Sequence, residues 1–370
     1  MRSRLFQLLG LFSVLSVLLA ACGSAVPPVV PTAAADSTNP AATDAPAPVA
    51  KFKFSLVLPN PRGDHSFIDA SVVGAEKAMN ELPVEGSIIE SQGIADQESA
   101  LRSAISMDND IVLALAIEPD TLINLANEYP NQKFGVPSEL FVETTPDNVS
   151  AFQINVHQGA FLGGLVAGSL TKTKTVGAVL GGDSNGLNQF FYAYKQGVLQ
   201  VCPDCKVFVS YLNFDFGNPT LGKETALGQY AQGADIIFQV AGRSGEGVIS
   251  AAKEKGLYAI GVDSNQDDIA PGTVIVSVMK RVDITTYLLV KNTMDGNFKP
   301  GFNNVDMKDG VVGLSWDVGS TTFADQGPAE MTAKLPEIQK LVEEYRTKIL
   351  NNEFEVCDAM NQTAVCDPLK

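Results

Sequence analysis

Histidine is almost missing from this 370-residue chain: His65 and His157 are the only two. Two isolated imidazoles do not make a metal site, and no other cluster with metal-ligand spacing replaces them. A nucleophile elbow is also lacking, and the acidic run around Asp263 is all that remains for hydrolytic chemistry. Neither glycine-rich turn is a phosphate loop: Gly181 to Gly186 has no Gly-Lys-Ser/Thr ending, and Gly242 to Gly247 departs from dinucleotide spacing. The residues therefore argue against an enzyme, and no cofactor or metal is expected. Positive charge is scarce too, 26 Lys and Arg against 42 Asp and Glu, for a net charge of −16. With no basic stripe, phosphates are repelled and nucleic acid is disfavoured as a partner. The apolar run from Leu5 to Leu19 is short for a membrane span.

That run has another reading. Arg2 and Arg4 precede it, and Leu19-Ala20-Ala21-Cys22 closes it with small residues, so residues 1–21 resemble a bacterial lipoprotein signal peptide. Cys22 would then carry the lipid. From there to residue 50 the chain is nearly all Ala, Pro, Val, Ser, Thr and Asp, which cannot bury enough surface to order itself. It reads as a disordered tether holding the folded part at the extracytoplasmic face of the cell membrane.

Four cysteines remain, Cys202, Cys205, Cys357 and Cys366, which allow three pairings. In an exported chain two local bridges, Cys202 to Cys205 and Cys357 to Cys366, are the simplest. Cys202-Pro203-Asp204-Cys205 follows a helical pattern and precedes a strand, the reverse of a thioredoxin-like redox motif, so a structural staple is favoured.

The core begins with an apolar strand through Phe54 and Leu58, broken at Pro59-Asn60-Pro61-Arg62-Gly63 and followed by a helical pattern using Ile68, Val72, Val73 and Ala75. Asp64 or Ser66 is positioned to cap that helix, and Phe67 falls in its first turn. Strands follow at 87–90, 111–117, 133–136 and 149–154, with helices at 97–107 and 121–128. A glycine-bearing helix over 157–170 predicts close approach to another backbone, as between two lobes. A second series alternates strands at 175–180, 206–212, 235–239, 257–262 and 273–279 with helices at 188–201, 221–232, 248–254 and 283–294. Irregular chain, a strand near 311–316 and a helix over 330–348 close it. The alternation predicts two doubly wound α/β lobes joined by a hinge, of the type I periplasmic-binding-protein kind. The first lobe is mainly 51–172 with part of 281–310. The second is mainly 173–280 with part of 311–350, and 351–370 is a C-terminal tail.

The run from Ala234 through Gln239, Gly242-Arg243-Ser244-Gly245-Glu246-Gly247 and Val248, followed by Ala259 to Asp267 and then Ser277 to Asp283, closely resembles the basic membrane lipoprotein family, purine nucleoside receptors of ABC importers. The likeness extends in order over residues 52 to 348. It implies a ligand between two lobes, its base between aromatic rings, its ribose held by a carboxylate and a lysine. The family's Asp-x-Ser-Phe-Asn turn matches Asp64-His65-Ser66-Phe67, making Phe67 one ring; Phe216, ahead of Gly222-Lys223, matches the second. Asp263 matches the ribose carboxylate, Lys280 the ribose lysine, and Gly242 a backbone contact. Three departures fall where the base would be read: Ile68 stands for the family's Asn, Pro137-Ser138-Glu139 for an aspartate, and Ala116-Ile117 for Gly-Phe.

The resemblance implies a lipid-anchored, monomeric solute-binding protein that captures a nucleoside, a purine one as in the family, between two lobes and delivers it to ABC permease subunits. A ligand-binding sensor for a membrane signalling partner, a receptor for another sugar-containing solute, and an exported nucleoside hydrolase are the alternatives.

Overall fold

The computed structural model describes residues 51–369; the signal peptide, Cys22 and the linker to residue 50 lie outside them. The first series runs β1 Phe52–Leu58, α1 Phe67–Glu81, β2 Val84–Glu90, α2 Ile94–Ile105, β3 Ile111–Ala114, α3 Pro119–Glu128, β4 Lys133–Val136 and β5 Val149–Ile154. The second runs α4 Val156–Leu170, β6 Thr175–Leu180, α5 Asn185–Val201, β7 Lys206–Tyr211, α6 Pro219–Ala231, β8 Ile236–Val240, α7 Ser244–Lys255, β9 Tyr258–Asp263 and β10 Val274–Lys280. Then come α8 Val282–Met294, β11 Gly301–Val305, β12 Val312–Leu314, α9 Thr322–Gln326, α10 Ala329–Thr332 and α11 Leu335–Leu350.

These strands form two six-stranded sheets, ordered β11-β5-β4-β3-β1-β2 and β12-β10-β9-β8-β6-β7. Each defines one lobe. All pairs are parallel except β10 with β12. The continuous apolar runs become the central strands β3, β6, β8 and β10, every residue of which is buried, as a parallel sheet covered on both faces requires. The sequence pattern leaves 301–305 irregular; in the structure this segment is β11, paired to β5 from Gly301–Ser150 to Val305–Ile154. Its residues Asn303 and Asn304 break the apolar signal because an edge strand is only half covered.

The chain crosses between lobes three times, after β5, β10 and β11. The crossings are stitched to one another: the Asn155 N–H donates to the Val305 carbonyl at 2.9 Å and the Arg281 N–H to the Val311 carbonyl at 2.8 Å. Three short adjacent connections are the layout of a hinge.

The glycines of α4 do bring backbones together. A Cβ on Gly164 would meet the Tyr194 carbonyl oxygen at 2.1 Å, and one on Gly197 would meet that of Phe161 at 2.1 Å. The partner is α5, however, and Gly159 and Gly163 rest on Val312 and Val278 of the second sheet. So α4 packs within the second lobe instead of between lobes. Both disulfides form as paired in sequence, Cys202–Cys205 and Cys357–Cys366. The second staples the C-terminal tail, which is tied to α5 by Gln189 donating to Asp358 at 2.8 Å and the Cys357 N–H donating to Gln196 at 2.8 Å. Among the described residues no helix is long and apolar enough to cross a membrane.

Candidate functional site

The turn between β1 and α1 is built around Asp64. Its buried carboxylate accepts the backbone N–H groups of Ser66 (3.0 Å), Ile68 (2.9 Å) and Asp69 (3.0 Å), so Asp64 satisfies the helix start that Ser66 was equally placed to cap. Burial pushes the Asp64 carboxyl up and these N–H bonds pull it back. Asp69 reaches back to the N–H groups of Gly63 and His65, locking the turn. Ile68 is buried in the core while Val73, read as a packing residue, is 54% exposed.

With the cap supplied elsewhere, the Ser66 hydroxyl is free to reach across to the second lobe. It donates to Asp263 Oδ2 at 2.7 Å. Asp263 ends β9 with φ +65°, a left-handed conformation that Asp tolerates better than most side chains, and is only 8% exposed. Burial pushes its carboxyl up to about 6, against the pull of the Lys280 charge and the Ser66 hydroxyl. Beneath it the turn is fixed by a buried polar network. Gln266 accepts from the Val262 N–H (3.0 Å) and from Gln239 (2.5 Å), and donates to the His65 carbonyl (3.1 Å). Asp267 accepts the hydroxyls of Ser277, Ser315 and Ser320 at 2.6–2.7 Å. Such a satisfied network holds the unusual backbone of Asp263 in place.

Lys280, at the end of β10, sits where the chain enters the hinge. Its ammonium donates to Glu139 Oε2 of the first lobe at 2.7 Å and lies 5.0 Å from the Phe67 ring centroid and 5.9 Å from that of Phe190. The lysine is 7% exposed. Its hydrogen-bonded counter-ion is thus Glu139, while its charge also acts on Asp263. Glu139 and Phe190 are the residues that reasoning missed. In sequence Glu139 registers only as the wrong residue after β4, because the loop that swings it into the crevice has no local signature. Its other oxygen, Oε1, is buried and accepts no hydrogen bond.

The second cluster lies further along the same carboxyl edge, across β8 and β6. Phe216 packs on two glycines: a Cβ on Gly181 would come within 2.0 Å of its ring, and one on Gly242, at φ +54°, would lie 3.6 Å from its Cβ. Ser244 clips this loop to the start of α7, its N–H donating to the Phe216 carbonyl at 3.0 Å and its hydroxyl to that of Asp215 at 2.6 Å. All seven positions read as ligand contacts, Asp64, Ser66, Phe67, Phe216, Gly242, Asp263 and Lys280, therefore follow carboxyl ends of strands. That is where open α/β sheets present their ligand crevices. A separate cavity of about 330 Å³, lined by Phe152, Leu288, Phe298 and Asn303, contains none of them. Among the described residues no group of three His, Cys, Asp or Glu side chains could hold a metal ion.

Comparison with known proteins identifies the family. The family model described as ABC transporter substrate-binding protein, PnrA-like, matches residues 51–358. Basic membrane protein A of Borreliella afzelii is 28% identical over 319 residues, covering 82% of this chain and 91% of the relative. Basic membrane protein D of Borreliella burgdorferi is 37% identical over 200 residues, covering 53% and 58%. The crystal structure of an ABC transporter solute-binding protein from Aeropyrum pernix K1 superposes with a TM-score of 0.73 at 27% identity, covering 84% of this chain and 94% of that one. Its lobes, its crevice and its relatives together make this chain a member of the Bmp family, the PnrA-like substrate-binding proteins of ABC transporters, which bind solutes and are not enzymes.

Proposed function

We propose that this protein captures a neutral nucleoside between its lobes and delivers it to the membrane subunits of an ABC importer, tethered through a lipid on Cys22 and acting as a monomer. The observation that carries this reading is the buried Asp263 carboxylate, which meets Ser66 of the opposite lobe and lies near the Lys280 charge. A buried carboxylate is a strong acceptor for paired hydroxyls, and a neighbouring ammonium donates to their oxygens, as two adjacent ribose hydroxyls require. Phe67 and Phe216 offer aromatic faces for a base, each worth about 1–3 kcal/mol by stacking.

Charge narrows the class. Three carboxylates gather here: those of Asp64 and Glu139 each push Asp263 up, against the pull of the Lys280 charge. That surplus of negative charge disfavours a phosphate-bearing nucleotide and suits a neutral solute. Ile68 removes one amide from base recognition, whereas the unpartnered Glu139 Oε1 supplies an acceptor for an N–H or O–H donor. A site that leaves such an acceptor buried discriminates against solutes lacking the donor.

Thermal unfolding of the full-length chain in detergent, with nucleosides, free bases, sugars and nucleotides, tests the proposal. A hundredfold excess over Kd stabilises the folded state by about 2.7 kcal/mol. Nucleosides should raise Tm, nucleotides should not, and Asp263→Ala should abolish the shift. A shift with sugars alone, or with none of the panel, would refute nucleoside capture.

A further inference from the structure

Phe214 is the most strained and most exposed of the aromatic residues near the crevice. It follows β7 with φ +65°, next to Asn213 at φ +51°, and it is 58% exposed. A bulky side chain at positive φ is a genuine outlier, and here burial of the ring does not offset it. The conformation is nonetheless pinned. The Phe214 N–H donates to the Gly181 carbonyl at 2.6 Å, and the Asp215 N–H to that of Leu212 at 3.0 Å. Gly182 is what lets the ring lie on the backbone, since a Cβ there would come within 2.5 Å of it. Its centroid is 6.5 Å from that of Phe216, with the planes tilted by 56°. Phe214 is therefore continuous with the crevice's own aromatic residue and on the same edge of the sheet as Asp263.

A second exposed ring meets the same turn from the opposite lobe. Phe141, two residues beyond Glu139 and 52% exposed, rests its tip on Gly186, where a Cβ would lie 2.7 Å from Cζ. The glycine-rich turn 181–186, which lacks a phosphate-loop ending, thus serves as a bed for aromatic rings from both lobes.

We propose that Phe214 is a solute-contacting residue, its ring lying with Phe141 at the mouth of the crevice to hold the planar part of the bound molecule. This rests on the nucleoside reading above, and it assigns a third aromatic face to that solute. The reason for the strain is then positional: only a left-handed residue after Asn213 turns the ring outward over Gly182 and not into the core.

The test is Phe214→Gly and Phe214→Tyr in the full-length chain in detergent, with calorimetric titration of adenosine and uridine and thermal unfolding without solute. Glycine adopts φ +65° freely, so Phe214→Gly should keep or raise Tm while weakening nucleoside binding roughly 5- to 150-fold, and Phe214→Tyr should bind like wild type. A fall in Tm for Phe214→Gly would make the ring a packing element and overturn the proposal. An unchanged Kd in Phe214→Gly, with wild type binding normally, would overturn it while leaving nucleoside capture intact. Failure of wild type itself to bind either nucleoside would overturn both.

Discussion

Asp263→Asn should make the protein more stable and less able to bind, and the gain should depend on pH in a definite way. Asparagine preserves the shape of the side chain, can still accept from Ser66, and tolerates φ +65° as Asp does. What it removes is a buried negative charge. The gap between the Asp263 carboxyl at about 6 and its ordinary value of 3.8 corresponds to roughly 3 kcal/mol. The sign follows from proton counting. Below pH 3.8 both folded and unfolded Asp263 hold the proton, and the difference is nil. Between 3.8 and about 6 the unfolded chain has released its proton while the folded one retains it, so wild-type stability falls as pH rises. Above about 6 the full penalty is in place. Guanidinium unfolding of both proteins at several pH values from 4 to 7 reads the effect of removing this charge, including the relief it gives the neighbouring Asp64, while the contribution of Asp267 cancels in the difference. Relative to wild type, Asp263→Asn should gain about 3 kcal/mol across that range, with the rise complete soon after pH 6. Nucleoside affinity should meanwhile fall at least about tenfold, the loss of one charged hydrogen bond. Parallel stability curves would refute the account of Asp263 as a charge held in the crevice at the expense of stability.

Glu139→Gln leaves Lys280 buried without its hydrogen-bonded counter-ion and should destabilise by about 3–5 kcal/mol, whereas adding Lys280→Met should recover part of that loss at pH 5, where the Asp263 carboxyl holds its proton. Thermal melts of the single and double variants check this; a single variant within about 1 kcal/mol of wild type would contradict a buried pair. Opening the ten-residue loop closed by Cys357–Cys366, with both residues changed to Ser, should cost about 3 kcal/mol, and opening the four-residue Cys202–Cys205 loop about 2 kcal/mol. Denaturant midpoints in the opposite order would show that chain entropy is not the governing difference.

Much of this architecture was legible because it depends on local pattern. Continuous apolar runs such as Ile111–Leu115 and Ile236–Val240 mark strands buried on both faces, and turns after them mark the ligand edge. Short cysteine spacings made the two disulfides readable, since residues so near in sequence have few other partners within reach. The edge strand β11 was missed because half-exposed strands carry polar residues, and Val73 was misplaced because α1 buries its Ile68, Val72 and Ala75 stripe but turns Val73 outward. Within the site, Asp263 and Lys280 stand at strand ends that periodicity finds. Glu139 and Phe214 do not, as each owes its position to a loop and to a partner far away in sequence.

The sequence by itself determined the alternating β and α elements, the two cysteine staples and the positions at strand ends, because each follows from propensity, burial or spacing over a few residues. Tertiary structure alone decided which of those groups meet. Ser66 and Asp263 are 197 residues apart and Glu139 and Lys280 are 141 apart, yet each pair is joined at 2.7 Å. No local pattern encodes those distances. They arise when two sheets present their carboxyl edges to one another across a three-strand hinge, and there burial brings carboxylates and a lysine from distant parts of the chain into direct contact.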